Sequence, residues 1–372
     1  MSRTRDDVVA AVAAAVDLAE GPAGIHELLL AIGRREPVAV RALSRATELP
    51  VPLVSAICNE LRRHGVVSER RPVQLTPNGR KLFAPRAGPL RLGPDVLADV
   101  NVACRGGPPA RVELDQVHCT YETKLRRIEL LDEMGALAGK RVLLLGDDDL
   151  LSVALAVVAE RAELGIAELA VVDIDQPLLD FIANAVRGAP FPTDVVGHDL
   201  REPLPARLHD FDTVFTDPPY TSAGATLFLS RAAEATAGAP GRQVFLAHGA
   251  RRPEEVLATQ RAIAAMGLVI RRFERNFNEY VGAGALGGTS HLYGLTTTRE
   301  LSGLVVGTYG GPLYTGDLSA PMRLYRCTRC SSLHRVGRGQ RYATVDALKA
   351  VGCRRCGHDR IAPLPRGRPI VR

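Results

Sequence analysis

Tryptophan is missing from the 372 residues, and aromatic residues make up only 5% of them. No apolar run reaches the roughly 18 residues that a membrane-spanning helix needs, so no transmembrane segment and no membrane partner are expected. The Ala/Val run within Met1 to Ala15 is bracketed by Asp6, Asp7 and Asp17, and no cleavage-like site follows it. This pattern reads as an amphipathic first helix rather than a signal peptide. Cysteine is scarce through most of the chain: Cys58, Cys104 and Cys119 are scattered. The other four of the seven fall in two Cys-x-x-Cys pairs near the C-terminus. That is metal spacing in a reducing compartment, not a secreted disulfide framework, and a cytoplasmic location is expected.

What is present is unevenly charged. The net charge is +6, yet residues 1–100 carry +3, residues 101–300 carry −7 and residues 323–372 carry +11. An acidic middle suits a polycationic ligand, whereas the basic end suits an acidic partner such as nucleic acid.

Apolar periodicity and turn residues divide the chain into parts. Residues 1–90 read as a winged helix-turn-helix domain. Its helices are expected at Ile25 to Arg34, Val38 to Thr47 and Pro50 to His64. Short strands follow at Val66-Val67 and Val73 to Leu75, joined by a basic turn at Arg70-Arg71. The third helix, with Arg62 and Arg63, would enter a major groove if this part binds DNA. Residues 91–114 are rich in Pro and Gly and read as a linker or irregular bridge.

Residues 115–305 alternate strand and helix, the signature of an α/β fold with a Rossmann-like parallel sheet covered by helices on both faces. Strands are expected at Arg141 to Leu145, Leu169 to Val172, Val195-Val196, Phe211 to Thr216, Gln243 to Ala247 and Val269 to Phe273. Ligands in such sheets bind beyond the carboxyl ends of the strands, and acidic residues cluster at those ends here. Residues 323–362 form a short Cys-paired module, and residues 363–372 a basic tail.

Four strand ends carry the chemistry. The first runs into Gly146-Asp147-Asp148-Asp149. A nucleotide-binding turn is usually Gly-rich, so that backbone N–H groups can approach an anion. Three carboxylates stand here instead. They would repel the α-carboxylate of S-adenosylmethionine (AdoMet) but suit decarboxylated AdoMet, which keeps only a cationic amine and a sulfonium. A solvated acidic helix cap would account for one such Asp but not for three. The second strand ends in Asp173, placed to accept from ribose hydroxyls, while Asp175 is positioned to cap the next helix. Asp199, after the third strand, could accept from an adenine amino group or be a plain loop acid. The fourth ends in Asp217-Pro218-Pro219-Tyr220. In amino-directed AdoMet enzymes such a loop accepts a hydrogen bond from the attacking amine while Tyr packs on it, and the paired prolines stiffen it.

These segments together resemble the branched-chain polyamine synthases, the N4-bis(aminopropyl)spermidine synthases. The resemblance rests on Gln116 to Thr123, Gly146 to Asp149, Val172 to Asp175 and His198 to Leu204, and on Asp217 to Gly224 and Arg275 to Tyr280. It covers about residues 20–285 and preserves motif order. It implies two successive aminopropyl additions to the central nitrogen of spermidine, with release of methylthioadenosine, and it places Asp148 in the transfer step. The chain departs from the pattern after about residue 285. The family ends in a flexible acidic stretch, whereas this chain carries a basic Cys-rich module. A glycine-heavy segment, Val281 to Ser290, has the composition of a mobile lid.

Cys327-x-x-Cys330 and Cys353-x-x-Cys356 are expected to form a tetrahedral four-cysteine zinc ribbon, structural because a closed four-thiolate shell leaves no open position. His334 and His358 read as bystanders. The combined expectation is an aminopropyltransferase with Asp148 and Asp217 orienting the amine and Tyr220 walling its site. Gly146 and Pro218 shape the two loops, Asp147 and Asp149 add negative field, Asp173 grips ribose and Asp199 adenine. The co-substrate is decarboxylated AdoMet, the partner a polyamine, and the metal zinc. A homodimer, and nucleic acid at the winged helix or basic ribbon, stay open. Two rivals remain: an AdoMet-dependent N-methyltransferase acting on nucleic acid or protein, and a DNA-binding regulator that senses a small ligand.

Overall fold

The computed structural model describes residues 4–69, 71–83, 88–249, 252–281, 288–315, 323–336, 340–342 and 345–364. Arg70, residues 282–287 of the glycine-heavy segment and residues 365–372 of the basic tail lie outside them. The chain divides into two compact units, residues 1–112 with 116–310, and residues 113–115 with 311–372.

The first unit opens with five helices: α1 (Arg5–Ala15), α2 (Gly21–Arg35), α3 (Val40–Thr47), α4 (Val51–Arg63) and α5 (Pro77–Phe83). Thr4 caps α1, its hydroxyl accepting from the Asp7 N–H while the Asp7 carboxylate accepts from the Thr4 N–H. Val8, Val9 and Val12 of α1 pack with Leu28, Leu29 and Ile32 of α2 and with Val54, Ile57 and Leu61 of α4 into a local core. Burying an aliphatic side chain of this size stabilises by roughly 1.5–3 kcal/mol. The two short strands expected at residues 66–75 are single bridges, Val67 to Leu75 and Val38 to Val73.

The Pro/Gly-rich bridge expected at 91–114 needs correction. Pro94–Cys104 is a helix, α6, with Pro94 in its first turn. Proline fits there because the first N–H groups of a helix have no intrahelical acceptor. Val96, Val100 and Cys104 of α6 join the core of the sheet domain, so this segment is part of the fold.

The sheet domain follows: α7 (Tyr121–Glu133), β1 (Arg141–Leu145), α8 (Leu151–Ala162), β2 (Glu168–Asp173), α9 (Gln176–Ala185), β3 (Thr193–Gly197), β4 (Thr213–Thr216), α10 (Ser222–Ala235), β5 (Gln243–His248), α11 (Pro253–Ala265), β6 (Leu268–Glu279) and β7 (Thr289–Thr297). The strand order is β3-β2-β1-β4-β5-β7-β6. Pairing is parallel from β3 through β5, and β7 runs antiparallel to both β5 and β6. The sheet is therefore mostly rather than wholly parallel. β7 was not anticipated because its Gly, Ser and His interrupt the apolar pattern. The carboxyl ends of β1, β2, β3 and β4 bring residues 146–149, 173, 199 and 217 to one edge.

The second unit holds a three-stranded antiparallel sheet of β8 (Arg323–Cys327), β9 (Leu333–Val336) and β10 (Ile361–Pro363), ordered β10-β8-β9, with helix α12 (Val345–Val351).

Candidate active site

The turn after β1 needs a left-handed residue. Gly146 supplies φ +76° and donates its N–H to the Val172 carbonyl at 2.8 Å, tying β1 to β2. The three acids that follow then separate into three roles.

Asp147 turns toward α8. Its carboxylate accepts from the N–H groups of Leu151 at 2.8 Å and Ser152 at 3.2 Å, and from the Ser152 hydroxyl. It occupies the helix N-terminus that an external anion would otherwise take.

Asp149 points the other way, into a buried ion cluster centred on Arg127 of α7. Arg127 is fully buried. Its Nη1 donates to Asp149 Oδ2 at 2.5 Å and its Nη2 to Asp217 Oδ2 at 2.7 Å. Its Nε donates to Asn278 Oδ1 at 2.8 Å, and the guanidinium lies over the Phe215 ring, 5.0 Å from the centroid. The Cys119 N–H also donates to Asp149. Burial alone would raise the Asp149 carboxyl, but Arg127, Lys124 and these hydrogen bonds override it and hold it at about 2. Asp149 is thus an ionised anchor for Arg127.

Asp148 lies between them without a cationic partner among the described residues. One carboxylate oxygen accepts from the Val117 N–H at 2.9 Å. Its backbone carbonyl accepts from His118 Nδ1 at 2.7 Å, so the His118 segment fixes the middle of the turn from both sides. Burial, then the charges of Asp149, Asp217 and Asp173, push this carboxyl well above its ordinary range.

Asp217 follows β4. Besides Arg127 it accepts from the Tyr280 hydroxyl at 2.6 Å, and that hydroxyl lies 2.9 Å from Ser290 Oγ. Asn278 donates to the same Ser290 Oγ at 2.9 Å. Burial raises Asp217 to about 7 despite the opposing pull of Arg127. Pro218 and Pro219 are buried behind it. The Tyr220 ring meets the Tyr280 ring edge-on, 6.0 Å between centroids at 87°. Burial and the Asp217 charge push its phenol upward.

Asp173 receives the Asp147 N–H at 3.1 Å and the Asp175 N–H at 2.9 Å. Asp175 precedes α9 but makes no side-chain cap; it accepts from Gln116 Nε2 at 3.1 Å, with Arg111 at 3.4 Å. Asp199 bonds the Arg201 N–H at 2.9 Å and is partly exposed in its own turn. The structure therefore gathers Asp148, Asp149, Asp217 and Tyr220 around Arg127 and Tyr280, sets Asp173 beside them, and leaves Asp199 apart.

Arg127, Asn278, Tyr280 and Ser290 were not singled out as site residues in the sequence. A signal existed for the first. Lys124, Arg127, Ile128 and Leu131 share one helical stripe, and charges on an apolar stripe must find buried partners.

In the second unit, the sulfurs of Cys327, Cys330, Cys353 and Cys356 all lie within 4.8 Å of one another. Cys327 and Cys356 are 3.6 Å apart, and Cys330 and Cys353 3.5 Å. Four thiolates about 2.3 Å from a central zinc would stand about 3.8 Å apart, so the donor set fits that ion. His334 is not one of the four candidate ligands, but it lies close to them. Its Nε2 lies 3.3 Å from Cys353 Sγ, and Ser332 Oγ 3.0 Å from the same sulfur. Such outer-shell donors orient ligand sulfurs.

Comparison with known proteins bears on the family of the chain. The family model described as the branched-chain polyamine synthase A C-terminal domain matches residues 95–300. The N(4)-bis(aminopropyl)spermidine synthase of Thermococcus kodakarensis is 35% identical over 262 residues, which is 64% of this chain and 72% of that one. An uncharacterized protein of Methanocaldococcus jannaschii is 33% identical over 347 residues, 88% of this chain and 86% of that one. Among solved structures, the branched-chain polyamine synthase of Thermus thermophilus, in complex with N4-aminopropylspermidine and 5'-methylthioadenosine, aligns with a TM-score of 0.54 at 25% identity. It covers 84% of this chain and 98% of that chain. With its Rossmann-like sheet, its acid-lined strand edge and a family match over more than half its length, the chain belongs to the branched-chain polyamine synthase family.

Proposed function

We propose that this protein transfers the aminopropyl group of decarboxylated AdoMet to a polyamine nitrogen, with a spermidine-like acceptor, and releases methylthioadenosine. The observation that carries this reading is the filled N-terminus of α8. Asp147 takes the N–H groups that could have received the α-carboxylate of AdoMet. Beyond it stand Asp148, Asp173 and Asp217, with one guanidinium, already shared with Asp149, to offset them. Such a site repels a carboxylate and favours a ligand with only cationic groups. The sequence relatives and the product complex of the Thermus enzyme support the same chemistry.

The acceptor nitrogen attacks the methylene carbon next to the sulfonium. A carbon–nitrogen bond forms, the carbon–sulfur bond breaks, and its electron pair leaves with sulfur as neutral methylthioadenosine. A secondary acceptor nitrogen thereby becomes a tertiary ammonium with one surplus proton, whereas a second addition to the same nitrogen makes it quaternary with no proton to lose. Asp217, fixed by Arg127 and Tyr280, accepts a hydrogen bond from the attacking nitrogen and orients its lone pair. Asp148, lacking a cation, is the carboxylate that ionises when the cationic ligands arrive and takes the proton. Tyr220 walls the amine site, Asp173 holds the ribose and Asp199 the adenine edge.

By the same reading, residues 1–90 are a winged helix. Its Arg62 is spent on Asn59 and the Ser68 carbonyl, while Arg63 pairs with Glu60 from an exposed position. Residues 323–362 form a zinc ribbon that stabilises its own small core of Tyr325, Val336, Leu348 and Ile361.

The test supplies purified protein with spermidine and either donor. Methylthioadenosine together with a polyamine heavier by one or two aminopropyl units is expected from decarboxylated AdoMet alone. Methylated product from AdoMet, with none from the decarboxylated donor, would overturn the assignment.

A further inference from the structure

A cleft of about 1020 Å³ lies at the opposite edge of the sheet from the acid cluster. Its walls come from α1, α2 and the segments that enter β1, β4 and β5. A five-residue strand separates the two edges by about 17 Å, so this cleft shares no residue with the acid site. Its volume is within the range of small-molecule sites.

Its lining is rich in donors. Lys140, immediately before β1, is half-buried, and its ammonium has no hydrogen-bond or ion-pair partner among the described residues. Arg5 lies against the backbone of Gly139, where no Cβ would fit, so its guanidinium is beside Lys140. Arg5 Nη2 is 3.0 Å from His26 Nδ1. Because a guanidinium only donates, Nδ1 must accept, which puts the His26 proton on Nε2. That Nε2–H has no partner among the described residues, and Arg5 Nε is buried without one. Arg242 also lines the cleft, but its charge is offset by Asp210 and Asp212. Both Asp212 oxygens are occupied, one by Arg242 and the other by the Arg141 N–H. Arg271 meets the carboxylates Glu20 and Glu48, and Glu27 is close to this group.

Lys140, the donors of Arg5 not given to His26 and a neutral imidazole N–H thus face one space, with the Asp6 carboxylate acting on both cations. Burial, together with Arg5 and Arg242, lowers Lys140 to about 8, and burial with Lys140, Arg5 and Arg242 holds His26 at about 2. Unfilled, this arrangement is unfavourable, and an anion relieves it. We propose that the cleft is a second ligand site that binds a phosphate-type oxyanion through Lys140, Arg5 and His26. The oxyanion is either free phosphate or the phosphate group of a nucleotide-sized molecule, for which the volume leaves room.

Thermal unfolding of the full chain tests this, with sodium phosphate, a nucleoside triphosphate or sodium chloride at matched ionic strength. A saturable rise in Tm with phosphate, the triphosphate or both, and none with chloride, is expected. The stronger response identifies the source of the oxyanion. Lys140→Met should unfold at or above the wild-type temperature without anion, keep aminopropyl transfer, and bind the anion about tenfold or more weakly. Lys140→Arg should retain the response, and His26→Gln should weaken it. The proposal fails if wild-type protein shows no saturable response to either anion, or if Lys140→Met responds as wild type does.

Discussion

Replacing Arg127 by methionine isolates what holds the active site together. The guanidinium is fully buried and bonds Asp149, Asp217 and Asn278, residues drawn from the ends of β1, β4 and β6. Methionine fills much of the same volume but leaves Asp217 without a cation and Asp149 with the charge of Lys124 alone. Breaking a buried pair in this way costs about 3–5 kcal/mol. For a unit of this size, each kcal/mol moves Tm by about 2–4 °C, so a fall of about 6–20 °C is expected near neutral pH. The sign of the pH dependence follows from the two carboxyls. Asp149 is held at about 2, below its unfolded value of about 3.9, so it contributes stability above pH 4 that is lost as pH falls toward 2. Without Arg127 the largest lowering charge on Asp149 is gone, Lys124 and the Cys119 N–H remain, and burial raises both carboxyls. Their ionised forms then oppose folding, and the variant loses stability as pH rises through the raised values. The wild-type-minus-variant difference in Tm should therefore be larger at pH 8 than at pH 5. Differential scanning calorimetry across that range measures it. Equal differences at both pH values, or a Tm change under 2 °C, would refute the assignment of Arg127 as the compensating charge.

Asp148→Asn should lower methylthioadenosine release by about 100-fold or more while Tm holds or rises, since a raised, half-buried carboxyl is being neutralised; wild-type turnover would remove Asp148 from the mechanism. Tyr280→Phe removes the hydroxyl that donates to Asp217, so the acid limb of the rate–pH profile should move upward from the neighbourhood of pH 7, with kcat affected more than KM. One equivalent of zinc per chain is expected by elemental analysis. Cys353→Ser should lose it and increase proteolysis within residues 323–364, while residues 95–300 keep their protection.

The alternation from Arg141 to Phe273 was readable because a buried strand and its covering helix each announce themselves locally, through a short apolar run and a 3.6-residue stripe. The acids after β1, β2 and β4 were readable for the same reason, since each directly follows a run that must end at the sheet edge. The cysteine pairs were readable from spacing alone. α6 was missed because its Pro and Gly neighbours outweighed a short apolar periodicity, and only packing of Val96 and Val100 against the sheet domain decides that it is a helix. β7 was missed because a strand protected by neighbours on both sides needs no strong pattern of its own. Most of all, Asp147, Asp148 and Asp149 are identical letters in the sequence. What divides them into helix cap, uncompensated acid and ion-pair anchor is which partners arrive from elsewhere: Ser152 from the next helix, Val117 from 31 residues back, and Arg127 from 22 residues back. Sequence determined that acids line this edge, because strand ends are a local property. Tertiary structure decided which of them stays charged, because that depends on burial and on a guanidinium delivered by a different element.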